Sequence, residues 1–491
     1  MLSLSSAAGR WVLTATILGS GIASIDATVV GIALPAIGRS FGAGLETLQW
    51  VVTAYTLTLA GLLLLAGALG DRYGRRRVFV IGVVWFALAS VLCGIAPDAA
   101  TLIAARALQG VGAALLTPGS LAILQASFSP EDRSRAIGAW SGLGGVATAI
   151  GPFLGGWLVG LGPDAWRLIF AINVPIAAAV VAIAWRHVPE SRDPEATGRV
   201  DLPGGILVTA GLMALTYGLI QGNVVALVAG GVLLAVFVWW QTRAPHPMLP
   251  LSLFASTQFT ATNVVTFFVY GALGGALFLL PIQLQNVSGY SPLEAGVALL
   301  PVTVLMLLLS ARSGALATRI GPRLQMSAGP IIAGLGMALF ARIGPHGDYV
   351  TEVLPAVLVL GLGLSATVAP LTATVLAAAP SSHAGMASAV NNDVARAAGL
   401  IAVAVLPMAA GITSQAYLDP PRLSAGFHTA VLISAVCCVA AGLLAAVTVR
   451  NPRRPAPAPG APPSVTEEKP WHSCGVDAPP LRTNQPVTDH R

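Results

Sequence analysis

The sequence predicts an all-α polytopic membrane protein with fourteen transmembrane helices. Three observations predict it: composition, the spacing of long apolar runs, and the placement of arginine. The chain has 491 residues, 55% of them hydrophobic and 9% charged, where a soluble domain carries about 25% charged residues. Apolar runs lie at 12–38, 47–70, 78–96, 100–126, 136–160, 168–186, 204–221, 225–241, 259–284, 293–312, 325–343, 353–376, 388–412 and 427–449. Each is close to the ~20 helical residues that cross a ~30 Å hydrocarbon layer. The first is too long for the apolar core of a signal peptide and contains Asp26, so it reads as a membrane helix.

Orientation follows from the stretch GALGDRYGRRR at 67–77. One acid and four arginines between two apolar runs cannot sit in lipid, so they are expected in a short loop of about six residues at the membrane surface. Short cytoplasmic loops collect arginine, which places this loop inside the cell. The fourteen-span count then puts Arg10, Arg72, Arg75 to Arg77, Arg133, Arg135, Arg186, Arg192, Arg199, Arg243, Arg312, Arg319, Arg323 and Arg396 on the same side. Only Arg39, Arg167, Arg342 and Arg422 fall outside. An even number of spans returns both termini to the cytoplasm, and the expected location is the inner (cytoplasmic) membrane.

The formal charge of +6 comes almost wholly from arginine, with Lys469 the one lysine. It reads as topology and contact with the lipid bilayer, and no basic surface suited to nucleic acid is present. A P-loop needs GxxxxGK[ST], and none exists, so ATP does not drive this chain by that route. No HExxH, GxSxG or CxxC occurs, and the sequence calls for no enzyme activity, no cofactor and no metal. Cys93, Cys437, Cys438 and Cys474 lack metal spacing; the first three lie in apolar runs and read as packing residues.

The domain plan is a cytoplasmic N-terminus (1–11), a first bundle (12–186), a charged cytoplasmic linker (187–203), two additional helices (204–243), a second bundle (244–449) and a disordered cytoplasmic tail (450–491) rich in proline and polar residues. GALATRIGPR at 314–323 repeats the opening of the 67–77 stretch: Gly314, Ala315, Leu316, Arg319 and Gly321 echo Gly67, Ala68, Leu69, Arg72 and Gly74, while Thr318 replaces Asp71. Both fall in predicted cytoplasmic hairpins, which favours an internal duplication.

Polar residues inside a bilayer are costly and therefore mark candidate sites. Asp26 sits mid-span as a candidate proton carrier or as a structural acid bonded to a neighbouring helix. Arg106, in ARALQGVGAA, turns inward beside Gln109, with Gly110 and Gly112 allowing close packing, or else it snorkels along lipid. In the fifth span Gly151, Pro152, Gly155 and Gly156 permit close approach and a kink, either as tight packing or as a pivot that keeps the path sealed. Asp71 with Arg72, Arg75 and Arg76 around Gly67 and Gly74 forms a candidate latch, with Glu131 and Asp132 as acceptors or competitors. Asn391, Asn392, Asp393 and Arg396 open the thirteenth span, as a second polar site or a helix start, and Asp393 and Arg396 are spaced to pair. Trp50, Tyr55, Phe267, Phe268, Tyr270 and Asn391 are candidates for a cavity lining, the aromatics otherwise serving as interfacial anchors.

These motifs resemble those of the major facilitator superfamily: GALGDRYGRRR its signature loop, RALQGVGAA its fourth-helix motif and IGPFLGG the fifth-helix motif of antiporters. IDATVVGIALPAI and WRLIFAINVPI (166–176) look like the fourteen-helix drug:proton antiporters within it. The resemblance covers residues 12–449. It implies two six-helix bundles plus two extra central helices, working by alternating access as a monomer. It implies a small hydrophobic or cationic substrate exported in exchange for protons, with multidrug efflux and antibiotic resistance as the outcome. By position, Asp71 and Arg75 would be the latch, Arg106 and Asp26 the proton-coupling residues, and Gly151 and Pro152 the antiporter kink. Thr318 departs from the pattern and makes a symmetric second latch doubtful. The alternatives are a dedicated exporter of a lipid, siderophore or other metabolite, an uptake symporter, and a non-transporting receptor or scaffold on the same fold.

Overall fold

A computed structural model describes residues 2–193, 200–380 and 384–451. Arg199, His383 and nearly all of the expected tail, with Lys469 and Cys474, lie outside the described residues. Fourteen helices among those described are long and apolar enough to cross a membrane. They are α1 (Ala7–Phe41), α2 (Leu45–Tyr73), α3 (Arg75–Gly94), α4 (Ala99–Ser127), α5 (Glu131–Val159), α6 (Ala165–His187), α7 (Leu202–Gln221), α8 (Val224–Gln241), α9 (Thr257–Asn286), α10 (Pro292–Ile320), α11 (Pro322–Arg342), α12 (Tyr349–Ala377), α13 (Gly385–Ala409) and α14 (Pro420–Thr448). Each corresponds to one predicted span.

The packing repeats itself. In the first half α3 packs on α4, α2 on α4, α1 on α5 and on α6, and α3 on α6. Eight helices later α11 packs on α12, α10 on α12, α9 on α13 and on α14, and α11 on α14. The same pairing in both halves is what a duplicated six-helix unit produces. The two hairpin glycines agree: Gly74 (φ 119°) and Gly321 (φ 88°) hold equivalent positions, each beyond the reach of most side-chain-bearing residues.

At Gly74 the structure corrects the expected loop. Helix α2 continues through Asp71 to Tyr73 and α3 starts at Arg75, so one glycine, not six residues, turns the chain. The helix can run so far because Asp71 and Arg75 pair directly across the turn, Oδ1 to Nη2 at 2.8 Å.

The two halves meet at the end remote from this hairpin. Gln49 Nε2 donates to the Val403 carbonyl at 2.7 Å, Gln285 Nε2 to that of Ile32 at 2.9 Å, and Ser414 Oγ to Glu46 at 3.0 Å. Nearer the hairpin end of α5, a Cβ added at Gly138, Gly142, Gly144 or Gly145 would meet nothing within 4 Å. The hydrogen bonds between the halves thus cluster at one end, while these α5 glycines near the arginine-rich end face open space.

Helices α7 and α8 form an antiparallel pair set beside α2, with α7 also touching α13. Asp201 anchors them. Its carboxylate, on a residue 8% exposed, accepts from Gly204 N, Trp240 Nε1, Gln241 Nε2 and, at 3.4 Å, Met248 N. Burial pushes its pKa up, and the donors outweigh that and hold it below the ordinary carboxylate value. The clamp is thus intact at neutral pH and is lost only as pH falls through that lowered value, below ~3.9. Asp201→Ala leaves buried donors unpaired and is expected to cost about 1–3 kcal/mol, read as a lower melting temperature of the purified protein; an unchanged melt would show that the clamp carries no stability.

Candidate functional site

One apolar stretch of α1 carries a single carboxylate into the first half. Asp26 is 1% exposed, and Arg106 on α4, also 1% exposed, points at it from the next layer. Arg106 Nη1 donates to Asp26 Oδ2 and to Gln109 Oε1, both at 2.5 Å, and Arg106 Nε to the Val51 carbonyl at 3.2 Å. Its guanidinium lies over the Tyr55 ring, 4.3 Å from the centroid. The arginine is therefore directed into the bundle and not along lipid. Glycine makes the approach possible: a Cβ at Gly110 would collide with Thr58 and the Tyr55 carbonyl of α2, and one at Gly112 would come 2.6 Å from the Phe86 nitrogen of α3.

The other carboxylate oxygen, Asp26 Oδ1, accepts from Gln109 Nε2 at 2.8 Å and from Asn173 Nδ2 at 3.2 Å. Ser90 Oγ on α3 accepts from the same two amides, at 3.2 and 2.9 Å, and donates to the Phe170 carbonyl at 2.9 Å. Cys93 Sγ lies 3.5 Å from Gln109 Oε1. Such a buried ion pair with satisfied lone pairs holds its charges only while both partners remain. Chemically it is a place where a proton arriving on Asp26 would free Arg106.

Sequence reasoning named Asp26, Arg106 and Gln109 and missed Asn173 and Ser90. Asn173 stood inside the quoted WRLIFAINVPI, where an amide in an apolar run two residues before a proline was the available signal. Ser90 had none, since serine is common in membrane helices.

The glycines of the fifth span sit at two interfaces. A Cβ at Gly151 would collide with Thr28, and one at Gly155 would lie 3.2 Å from Val29 Cα, so α5 lies against α1 there. Gly156 faces the second half: its Cβ would fall on the Pro292 carbonyl and 2.7 Å from Leu293 Cα, and Gly296 is in turn pressed against the Pro152 carbonyl.

Asp71 pairs with Arg75, but Asp132 bonds the N-terminal segment through Leu4 N and Ser3 Oγ, and its nearest arginine is Arg135 at 3.9 Å. The acid that meets the hairpin is Glu190 of the linker. It accepts from the backbone N–H of Arg76 and Arg77 at 3.0 and 3.2 Å, capping the positive end of α3, and its Oε2 stands 3.8 Å from Arg76 Nε. Arg75 N and Asp193 N tie the same strand of linker to the hairpin through Ser191 and Asp71 carbonyls.

The cavity candidates do not converge. Trp50 faces Tyr217 of α7, with ring centroids 6.3 Å apart. Tyr55 is buried beneath Arg106. Phe267 and Phe268 are exposed and stand edge to face with each other, Tyr270 is half-buried against the core of the second half, and Asn391 donates to Asn263 Oδ1 at 3.0 Å and Thr266 Oγ1 at 2.8 Å within the α9–α13 contact. Asp393 and Arg396 lie well inside α13, not at its start, and no ion pair joins them; Asp393 Oδ1 and Arg396 Nε are buried without hydrogen-bond partners.

The sequence and the fold match those of known proteins. The family model of the Major Facilitator Superfamily matches residues 16–404. The multidrug resistance protein Stp of Mycobacterium tuberculosis is 37% identical over 420 residues, covering 83% of this chain and 77% of that one. A puromycin resistance protein of Streptomyces alboniger is 36% identical over 83% of each chain, and a tetracenomycin C resistance and export protein of Streptomyces glaucescens is 33% identical over 80% of this chain and 74% of its own. Among solved structures, a bacterial homologue of the lysosomal transporter Spinster, inward-facing and unoccupied, has a TM-score of 0.65 at 18% identity, covering 90% of this chain and 97% of that one. A D-xylose–proton symporter has a TM-score of 0.65 at 16% identity over 90% and 98%. With the repeated six-helix packing, these matches leave no room for an enzyme fold: the chain is a multi-pass membrane transporter, a fourteen-helix member of the Major Facilitator Superfamily.

Proposed function

We propose that this chain exports hydrophobic or cationic drugs or antibiotics across the inner membrane in exchange for protons. The observation that carries the proton part is the Asp26–Arg106 pair, a carboxylate and a guanidinium sealed together mid-span. Relatives named for multidrug and antibiotic resistance supply the cargo. Protonating Asp26 breaks its claim on Arg106, and re-pairing after release restores the starting state, so the pair gives protons a reason to change the packing of the first half. The duplicated halves, hydrogen-bonded to each other at one end, support alternating access, with the arginine-rich end and both termini cytoplasmic by the positive-inside rule. The latch role of Asp71 and Arg75 and the antiporter role of Gly151 and Pro152 belong to the same reading, and one chain holds both halves, so a monomer suffices.

The proton gradient is large enough. One charge crossing ~100 mV releases about 2.3 kcal/mol, and half a pH unit adds ~0.7 kcal/mol, together sustaining roughly a hundredfold gradient. The test is ethidium efflux from energised cells. Wild type should extrude the dye, a protonophore should stop it, and Asp26→Asn should abolish it. Efflux that survives both the protonophore and Asp26→Asn would sink the proton reading. The names of the puromycin and tetracenomycin relatives favour a second reading, export of one dedicated metabolite, which failure to move any dye would select.

A further inference from the structure

Asn173 uses only half of its amide. Its Nδ2 donates to Asp26 Oδ1 and to Ser90 Oγ, while its Oδ1, on a residue 0% exposed, accepts from nothing. A buried acceptor left idle beside an ion pair calls for a cause. Asp26 supplies one. As a carboxylate it only accepts; once protonated it must also donate, and needs an acceptor within reach. Gln109 Oε1 is already taken by Arg106 and lies against Cys93, whereas the Asn173 oxygen is free.

Half a turn of the Asn173 amide exchanges its nitrogen and oxygen in place. The oxygen then faces Asp26 Oδ1 and Ser90 Oγ, the positions where the nitrogen now donates. We infer that Asn173 is a positioning residue that reads the protonation state of Asp26, turning Nδ2 to the carboxylate and Oδ1 to the acid. This rests on the proton reading above.

The readout has a place to go. Helix α6 stays helical through Ile172, whose N–H bonds the Leu168 carbonyl at 3.1 Å, but it is weakened one residue earlier, because Pro175 has no N–H to offer the Ala171 carbonyl. Ser90 now donates to Phe170, the residue before that carbonyl. When the amide turns, the Ser90 hydroxyl gains Asn173 Oδ1 as a second acceptor and can release Phe170. A proton on α1 is thereby registered at the proline-weakened turn of α6.

The groups around Asp26 leave this role to Asn173. From α4 it faces Arg106 and Gln109. From α2 comes Tyr55, whose hydroxyl reaches the Ala23 carbonyl at 3.4 Å, and from α3 come Cys93 and Ser90. Arg396 of α13 acts on Tyr55 through its charge. Helices α5 and α9 meet α1 through Gly151, Gly155 and Gln285, none of which titrates.

Infrared difference spectra between acid and alkaline pH, on full-length protein in lipid with carbonyl-13C asparagine, test this. The expected result is an Asp26 carboxyl band, absent in Asp26→Asn, accompanied by a labelled asparagine carbonyl shift that disappears in Asn173→Ala. Removing the charge-assisted bond to the carboxylate should also move the pH midpoint of efflux up by about one unit in Asn173→Ala, with recovery in Asn173→Ser, which can still donate and accept. If Asn173→Ala does not accumulate, Ser90→Ala keeps the amide and should keep the labelled shift. An Asp26 band without an asparagine shift overturns this inference alone; no Asp26 band at any pH overturns it together with the proton reading.

Discussion

Arg106→Leu is expected to lower stability by about 3–5 kcal/mol and to stop transport. The reason is the charge it strands. With Arg106 gone, Asp26 stays 1% exposed and keeps only amide donors from Gln109 and Asn173, and breaking one side of a buried pair costs that much because the other charge cannot reach water. The variant also gives up the bond to the Val51 carbonyl and the stacking on Tyr55. Removing both charges should behave differently: Asp26→Leu combined with Arg106→Met is expected to recover much of the melting temperature while remaining inactive. Melting of the purified single and double variants, alongside dye efflux, checks this. An Arg106→Leu protein that melts like wild type would mean that the pair is not held as described.

Gly156→Leu should be the most damaging change at the seam between halves. There is no room for a side chain there, because the Pro292 backbone occupies the space a Cβ would need and Leu293 Cα lies 2.7 Å from it. Overpacking typically costs about 1–3 kcal/mol, and here the obstacle is backbone, which yields less than a side chain. Two results are expected: a lower melting temperature of the purified protein, and a loss of dye efflux. Gly142→Leu is the control, since its Cβ would meet nothing within 4 Å and its melt should stay near wild type. Equal damage at both positions would show that close packing at Gly156 is not the cause.

Much of this architecture was readable from the chain because lipid imposes length and polarity rules that few sequences satisfy by accident. Each predicted span is a helix, and the rarest residues in an apolar run, Asp26 and Arg106, found each other. Less was readable where the deciding contact is made by a common residue or by backbone. The hairpin at Gly74 looked like a loop because its charge argued for water, yet Asp71 and Arg75 neutralise each other one turn apart and let both helices run to the glycine. Glu190 and Asp201 looked like linker charge; each caps a helix through backbone N–H groups, which no spacing rule reveals. Asp393 and Arg396 had the spacing of a helical pair and are not one, since spacing on a helix brings side chains near without deciding which way they turn.

The helix pair α7–α8 breaks the symmetry of the halves. Within the duplicated plan, the contact of α2 with α13 and that of α5 with α10 are equivalent seams, but α7 lies along the first and leaves the second bare. A Cβ added at Gly61 of α2 would collide with the Thr209 hydroxyl of α7 and lie 3.0 Å from the Thr209 Cα, so the two helices pack closely there. The fourteen-helix unit thus has a bound edge and a fore-edge, like a book. Opening and closing should be widest at α5 and α10, the flank without a spine.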